Sequence, residues 1–354
     1  MSSVSDTRTV RQRRQTQPND LGSVPSRLGT LTGVQVLGVG AYAPPNVVRN
    51  EDLAELGYDA DWIIQRTGIR ERRKVDAGTA TSDLAIEASV RCLEQANVSA
   101  AELDLIVVAT MTPDTPTPST ACHLQRRLGA TCPAMDLNAA CAGFMYSMVT
   151  GMQFLKSGGA KKVLVVGADV MSQVVNPEDR KTYPLFGDGA GAAVLGVGSD
   201  EQGLLCYTLG ANGRGSDLLC SPAGGSRQPI TQEVLDQSGQ YLYMDGRPVF
   251  KWAVRLIVDS INEILSQALI AASEVDLVVL HQANARIIDA AISDFDFSPE
   301  KVVINLDRYG NTSAASIPIA LDEVMREGRL KRGDHVLLCG FGAGLTWGTA
   351  LMRW

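Results

Sequence analysis

The sequence predicts an α/β fold of layered sheets and helices made from two similar halves, and three observations carry that prediction. Short apolar runs of strand character alternate with amphipathic helical stretches along most of the chain. Two of the runs return: Glu102–Val108 (ELDLIVV) as Glu274–Leu280 (EVDLVVL), 172 residues on, and Val163–Gly167 (VLVVG) as Val336–Gly340 (VLLCG), 173 on. Between them Asp136–Cys141 (DLNAAC) and Asn305–Asn311 (NLDRYGN) keep the same order, with Leu137 and Leu306 separated by 169. Matches in constant order at a nearly constant offset mark an internal duplication.

The elements follow in order. Residues 1–31 are rich in Ser, Thr, Arg and Gln without apolar periodicity and read as a flexible leader. Its arginines fit either an organellar transit peptide or a solvated extension. Order is expected from Thr32, where Val34, Val36, Leu37 and Val39 lead to Gly38, Gly40 and the Pro44-Pro45 turn. Leu84, Ala85, Ala88, Cys92 and Leu93 recur at helical spacing in Asp83–Ala96, ahead of a strand at Leu103–Ala109. A helical run Phe144–Leu155 precedes strands at Lys161–Gly167 and Ala190–Leu195, and Val254–Ala271 is the amphipathic helix before the second copy's first strand. Phe186–Leu195 (FGDGAGAAVL) has its counterpart in Phe341–Leu351 (FGAGLTWGTAL), so the first half carries an insertion before its last strand. The expected organisation is a first half over 32–205 and a second over 206–354.

Composition narrows the function. With 354 residues, 45% hydrophobic and 20% charged, the chain is neither a disordered tail nor a disulfide-stapled mini-domain. No apolar run reaches the ~18–20 residues of a membrane span, and the N-terminus lacks the apolar core of a secretory signal, so a soluble cytoplasmic protein is expected. The first thirty residues carry +3; the total of −7 less that +3 leaves −10 on the rest, which argues against bulk binding of nucleic acid. Seven cysteines without a CxxC pair fit reduced thiols, and nothing completes Cys122-His123 into a metal site. Gly187–Gly191 and Gly340–Gly344 lack both the GxGxxG spacing and the Lys-Ser/Thr ending of a phosphate loop.

Equivalent strand ends of duplicated halves meet near a pseudo-two-fold axis, so strand-to-helix turns are where chemistry is expected. Cys141 sits in such a turn among small residues, at the start of a helix whose positive end favours thiolate. His281, one of three histidines, ends a strand of the second half, and Asn311 lies in the turn equivalent to that of Cys141. Singly these read as a packing cysteine, a core histidine and a helix cap. Together, at equivalent turns, they point to one shared site. His123 and His335 read as structural.

From about Val34 to Trp354 the chain resembles β-ketoacyl-acyl carrier protein synthase III, of the thiolase superfamily. The motifs that carry the resemblance are Trp62–Ile69 (WIIQRTGI), Ala140–Phe144 (ACAGF), His281–Asn284 (HQAN), Gly310–Ser313 (GNTS) and Phe341–Gly344 (FGAG). The resemblance implies a five-layered α-β-α-β-α fold, a homodimer, and no cofactor beyond a coenzyme A thioester as substrate. It implies that Cys141 takes an acyl group from acyl-CoA, with the backbone N–H groups of Cys141 and Ala343 as oxyanion hole. His281 and Asn311 then stabilise the enolate left when malonyl-acyl carrier protein loses CO₂, and the enolate attacks the acyl-cysteine to give 3-ketoacyl-acyl carrier protein. The same resemblance assigns Trp62, Arg66, Arg180, Gly246, Phe250, Ala283 and Asn284 to coenzyme A. Lys251 and Arg255, four apart on a predicted helix, and Arg286 are assigned to the carrier protein. Thr117, where acetyl-preferring relatives have a bulky aromatic, is assigned to the acyl pocket, and Arg247-Pro248 replaces a common Asn. The alternatives are a same-fold acyltransferase or condensing enzyme of secondary metabolism and, below that, a non-catalytic dimer partner that binds carrier protein. A hydroxymethylglutaryl-CoA-type synthase lacks its Glu in Ala109–Asp114.

Overall fold

The apolar runs form strands because they are rich in β-branched residues and covered on both faces: Ile106–Ala109 and Val163–Val166 are fully buried. The computed structural model describes Leu21 and residues 27–354. In chain order the strands begin with β1 (Arg27–Thr32), β2 (Val34–Tyr42), the short pair β3 (Val47–Arg49) and β4 (Glu71–Arg73), β5 (Leu105–Ala109), β6 (Ala134–Leu137), β7 (Lys162–Asp169) and β8 (Gly189–Val197). They continue with β9 (Gly203–Ala211), the short pair β10 (Leu219–Cys220) and β11 (Tyr243–Met244), β12 (Leu277–Leu280), β13 (His335–Gly342) and β14 (Thr346–Arg353). The helices are α1 (Ala60–Thr67), α2 (Thr81–Ala96), α3 (Thr120–Leu128), α4 (Gly143–Lys156), the short α5 (Gln232–Asp236), α6 (Gly246–Ala268), α7 (Ala285–Ile292), the short α8 (Leu306–Tyr309) and α9 (Ser316–Arg326).

Two five-stranded sheets result, ordered β2-β8-β7-β5-β6 and β1-β9-β14-β13-β12. In each, the pair from the repeated runs is parallel, β5 with β7 and β12 with β13, while the last strand returns antiparallel. The counterpart of β6 shrinks to one parallel bridge, Val278 to Val302. Helices α4 and α9 fill the space between the sheets, where Phe144, Met145 and Met148 meet Ile317, Leu321 and Val324. Helices α2 and α3 cover the outside of one sheet, and α6 and α7 the outside of the other. The five-layered α-β-α-β-α architecture follows from these three apolar cores.

The organisation differs from the sequence reading in three places. The leader was expected through residue 31, but Arg27–Thr32 is a strand that pairs antiparallel with β9, from Arg27 opposite Leu209 to Thr32 opposite Gly203. Only Leu31 among its residues is buried, so backbone pairing holds an edge strand that has no hydrophobic signal. The rest of the expected leader, apart from Leu21, lies outside the described residues. The boundary at 205/206 falls inside β9, and β1 belongs to the second half's sheet. Helix α6 begins at Gly246 and not at Val254, because Pro248 in a first helical turn gives up only an N–H that has no partner there.

Candidate active site

After β6 the chain turns sharply. The Ala140 N–H donates to Asn138 Oδ1 at 3.0 Å, and Ala140 takes a left-handed φ of +47° that only a built turn holds. A single 3₁₀ turn, Ala140–Ala142, delivers Cys141 to the N-terminus of α4. Gly342, at the end of β13, lies so close that a Cβ there would come within 2.7 Å of the Cys141 nitrogen, so glycine is what lets the two backbones touch. Burial pushes the Cys141 thiol up to about 12, the neighbouring Ser313 hydroxyl opposes the shift, and the buried Asp169 carboxyl adds to it. Burial thus pulls the group toward the thiol, against the pull of the helix end toward thiolate.

The second half supplies the other two groups. His281 follows β12, its N–H donating to Cys339 O at 2.8 Å, its ring edge-on to Phe341 with centroids 5.1 Å apart. Its Nδ1 lies 2.6 Å from Ser316 Oγ, and burial drives its pKa down to about 3, so the imidazole is neutral. Asn311 is pinned on three sides: its N–H donates to Leu185 O at 2.8 Å, its carbonyl accepts from Gly187 N at 3.1 Å, and its Oδ1 accepts from Ser313 N at 2.9 Å. That last bond aims the amide by its oxygen and leaves the NH₂ for the cavity.

Cys141, His281 and Asn311 line one cavity of about 300 Å³. Phe186, Phe341 and Gly342 also line it. The lining also includes four cationic side chains, Arg66, Arg180, Lys181 and Arg286, so a body of net negative charge presents a positive cavity. Trp62, Gly246, Phe250, Ala283 and Asn284 line it as well. The Arg66 guanidinium lies 5.7 Å from the centre of the Trp62 ring, and that of Arg286 6.0 Å from the Phe250 ring. The Asn284 side chain accepts from Arg286 N and donates to Arg66 O, tying α7 to α1.

Four expected residues stand apart from that cavity. Lys251 and Arg255 are exposed on α6, where Arg255 pairs with Asp259 at 3.4 Å. Thr117 is exposed on the loop before α3 and does not line the cavity within one chain. Ala343 follows Gly342 and accepts from the Thr346 hydroxyl at 2.9 Å through its carbonyl. The sequence reading missed Ser316, Ser313 and Asp169, which touch the chemistry from behind. Their signal was faint: two serines inside Gly310–Ser316 (GNTSAAS), and an acid at the end of an all-apolar strand, Val163–Asp169. No described helix is long and apolar enough to cross a membrane, and no cluster of three or more His, Cys, Asp or Glu that could hold a metal occurs among the described residues.

The family model for 3-oxoacyl-[acyl-carrier-protein] synthase III matches residues 135–213, and that for the C-terminal domain of the same synthase matches 265–354. The chain is 60% identical over 345 residues to the β-ketoacyl-[acyl-carrier-protein] synthase III of Rhodopirellula baltica, spanning 92% of this chain and 100% of that one. The crystal structure of the Aquifex aeolicus 3-oxoacyl-[acyl-carrier-protein] synthase III is similar at a TM-score of 0.84 and 43% identity, over 91% of this chain and 100% of the other. The priming β-ketosynthase of the R1128 polyketide pathway is similar at a TM-score of 0.84 and 38% identity, over 92% and 98%.

Proposed function

The chain belongs to the β-ketoacyl-[acyl-carrier-protein] synthase III family, and on that premise we propose how its own residues divide the reaction. The protein is an acyltransferase that carries out the initiating condensation of fatty acid synthesis, with acyl-CoA and an acyl carrier protein as substrates. The observation that carries the assignment of residues is that Cys141 from one half, and His281 and Asn311 from the other, share one cavity with cationic side chains in its wall.

Cys141 attacks the acyl-CoA carbonyl. The thiol proton leaves with the coenzyme A sulfur, and the acyl group stays on the cysteine. The N–H groups of Cys141 and Ala343 receive the negative oxygen of the tetrahedral intermediate, a reading supported by the contact of Gly342 with the Cys141 backbone. Malonyl-carrier then enters, its C–C bond breaks to release CO₂, and the electron pair becomes an enolate. Neutral His281 suits the task of donor: Ser316 Oγ accepts from Gln282 N at 3.4 Å, so its own proton is free for Nδ1, which leaves Nε2 protonated. The Asn311 NH₂ is the second donor. The enolate carbon attacks the acyl-cysteine, and the sulfur leaves as the 3-ketoacyl product forms.

Trp62, Arg66 and Arg180 hold the coenzyme A head, Gly246, Phe250, Ala283 and Asn284 line its pantetheine arm, and Lys251, Arg255 and Arg286 attract the acidic carrier protein. The same reading makes the enzyme a cytoplasmic homodimer without metal or flavin, and Thr117 part of the acyl pocket once its exposed loop meets a partner chain.

The test is intact-protein mass after mixing with acetyl-CoA. One acetyl group, removable by hydroxylamine and absent in Cys141→Ser, is expected; acetylation at the wild-type level in that variant overturns the assignment. Acyl-CoAs of graded length on wild type and Thr117→Phe read the primer range in the same assay, and separate fatty acid initiation from the priming role named for the R1128 relative.

A further inference from the structure

The turn before α9 holds a hydroxyl that the chemistry above leaves idle. Ser313 is fully buried, and its Oγ has no partner in ordinary hydrogen-bond geometry, which destabilises the fold by itself. Its backbone is also left-handed, at φ +53°, a conformation serine rarely adopts. The surroundings hold it there. Its N–H is given to Asn311 Oδ1 at 2.9 Å, and the next N–H, of Ala314, to Asp169 Oδ2 at 3.1 Å. The turn Ser313–Ala315 packs directly on the turn Ala140–Ala142, and the Ser313 hydroxyl is close enough to both the Cys141 sulfur and the Asp169 carboxyl to bias each toward its charged form. Asp169 is fixed in turn, its Oδ1 accepting from Thr110 Oγ1 at 2.9 Å, Met111 N at 2.8 Å, and Thr112 N and Oγ1 at 3.2 and 3.0 Å.

We propose that Ser313 is a positioning residue for the acylation of Cys141: its hydroxyl, seated against Asp169, turns to donate to the sulfur as the thiol loses its proton. The inference rests on Cys141 being the nucleophile. At rest the hydroxyl sits near both the Cys141 thiol and the Asp169 carboxyl without a settled hydrogen bond to either. When the thioester arrives, the sulfur bonds to the carbonyl carbon, the S–H bond breaks, and the carbon–sulfur bond to coenzyme A breaks. The thiol proton ends on the coenzyme A sulfur. Rotation about Cβ–Oγ turns the uncommitted hydroxyl proton onto the Cys141 sulfur, so Ser313 neither gains nor loses a proton overall. It gives the charged sulfur a donor in a place that burial has stripped of water. Asp169 and His281 are the other titratable groups around this site; losing the Ser313 hydroxyl also removes a group that favours the Asp169 carboxylate, while His281 keeps its Ser316 partner.

Ser313→Ala removes the hydroxyl, and alanine fits such a backbone, since Ala140 holds the matching place in the first half at φ +47°. Ser313→Gly removes it while easing the left-handed backbone. Single-turnover acetylation of Cys141 should slow about 10–100-fold in both, the loss of one hydrogen bond to a charged group. Alkylation by iodoacetamide should be slower than wild type at every pH between about 6 and 9, because the thiol pKa rises further. A side chain that merely supports the fold would not move that profile. Acetylation and alkylation superimposing on wild type would overturn the proposal, as would failure of both variants to fold, which assigns the hydroxyl to the scaffold. Wild-type protein that takes no acetyl on Cys141 overturns the nucleophile assignment, and this inference with it.

Discussion

The turns Ala140–Ala142 and Ser313–Ala315 have one backbone and opposite contents. Each is a single 3₁₀ turn that opens on a left-handed residue and feeds a central helix. In the first half the left-handed residue is Ala140 and the next is Cys141; in the second they are Ser313 and Ala314. Ala314 is locked in place, its N–H on Asp169 and its carbonyl against Gly167, where a Cβ would approach to 2.2 Å. Cys141 instead faces the cavity. Duplication has kept the scaffold and split the chemistry, leaving one turn as the reacting centre and the other as the wall that supports it.

The strongest way to break that comparison is to move the thiol. In Cys141→Ala/Ala314→Cys, acetylation by acetyl-CoA should stay at least ~10⁴-fold below wild type, because the second turn's sulfur has no cavity to face. Measurable acetylation of position 314 would make the turns interchangeable. The next contrast lies between half-reactions. His281→Ala and Asn311→Ala should lose about 10²–10³ in decarboxylation of malonyl-carrier, the cost of one donor to developing charge, and far less in acetylation of Cys141. Equal losses in both steps would show that the second half serves the first acyl transfer as well. The smallest effect concerns the surface. Lys251→Glu with Arg286→Glu should raise the KM for malonyl-carrier about 3–10-fold at low salt and flatten its salt dependence. If the KM for acetyl-CoA rises as much, the cations of the two halves do not divide their partners.

The duplication was legible because its strands are buried on both faces and so keep their apolar character in each copy, as in Leu105–Ala109 and Leu277–Leu280. Cys141 and His281 were legible for a related reason: they follow the strands β6 and β12, and strand ends are easy to place, whereas Asn311 follows the short helix α8. What escaped depends on contacts that the linear order hides. Ser316 matters through a bond to His281, 35 residues earlier. Asp169 and Ser313 meet only because the two halves close on each other. The opposing pull of burial on the Cys141 thiol escaped because a helix end is visible in sequence while the depth of a cavity is not. The edge strand β1 left no mark, since its pairing uses backbone groups that every residue has.

That edge strand has a consequence for how the chain is made. β1 precedes the first half yet pairs with β9, whose residues leave the ribosome roughly 175 positions later. At about 5–20 residues per second, β1 waits ~10–35 s for its partner, while β2, β5, β6, β7 and β8 can already assemble beside it. The sheet of the first half is thus the earlier one to be complete, and the second cannot close its outer edge until the start of the chain is drawn back across to it.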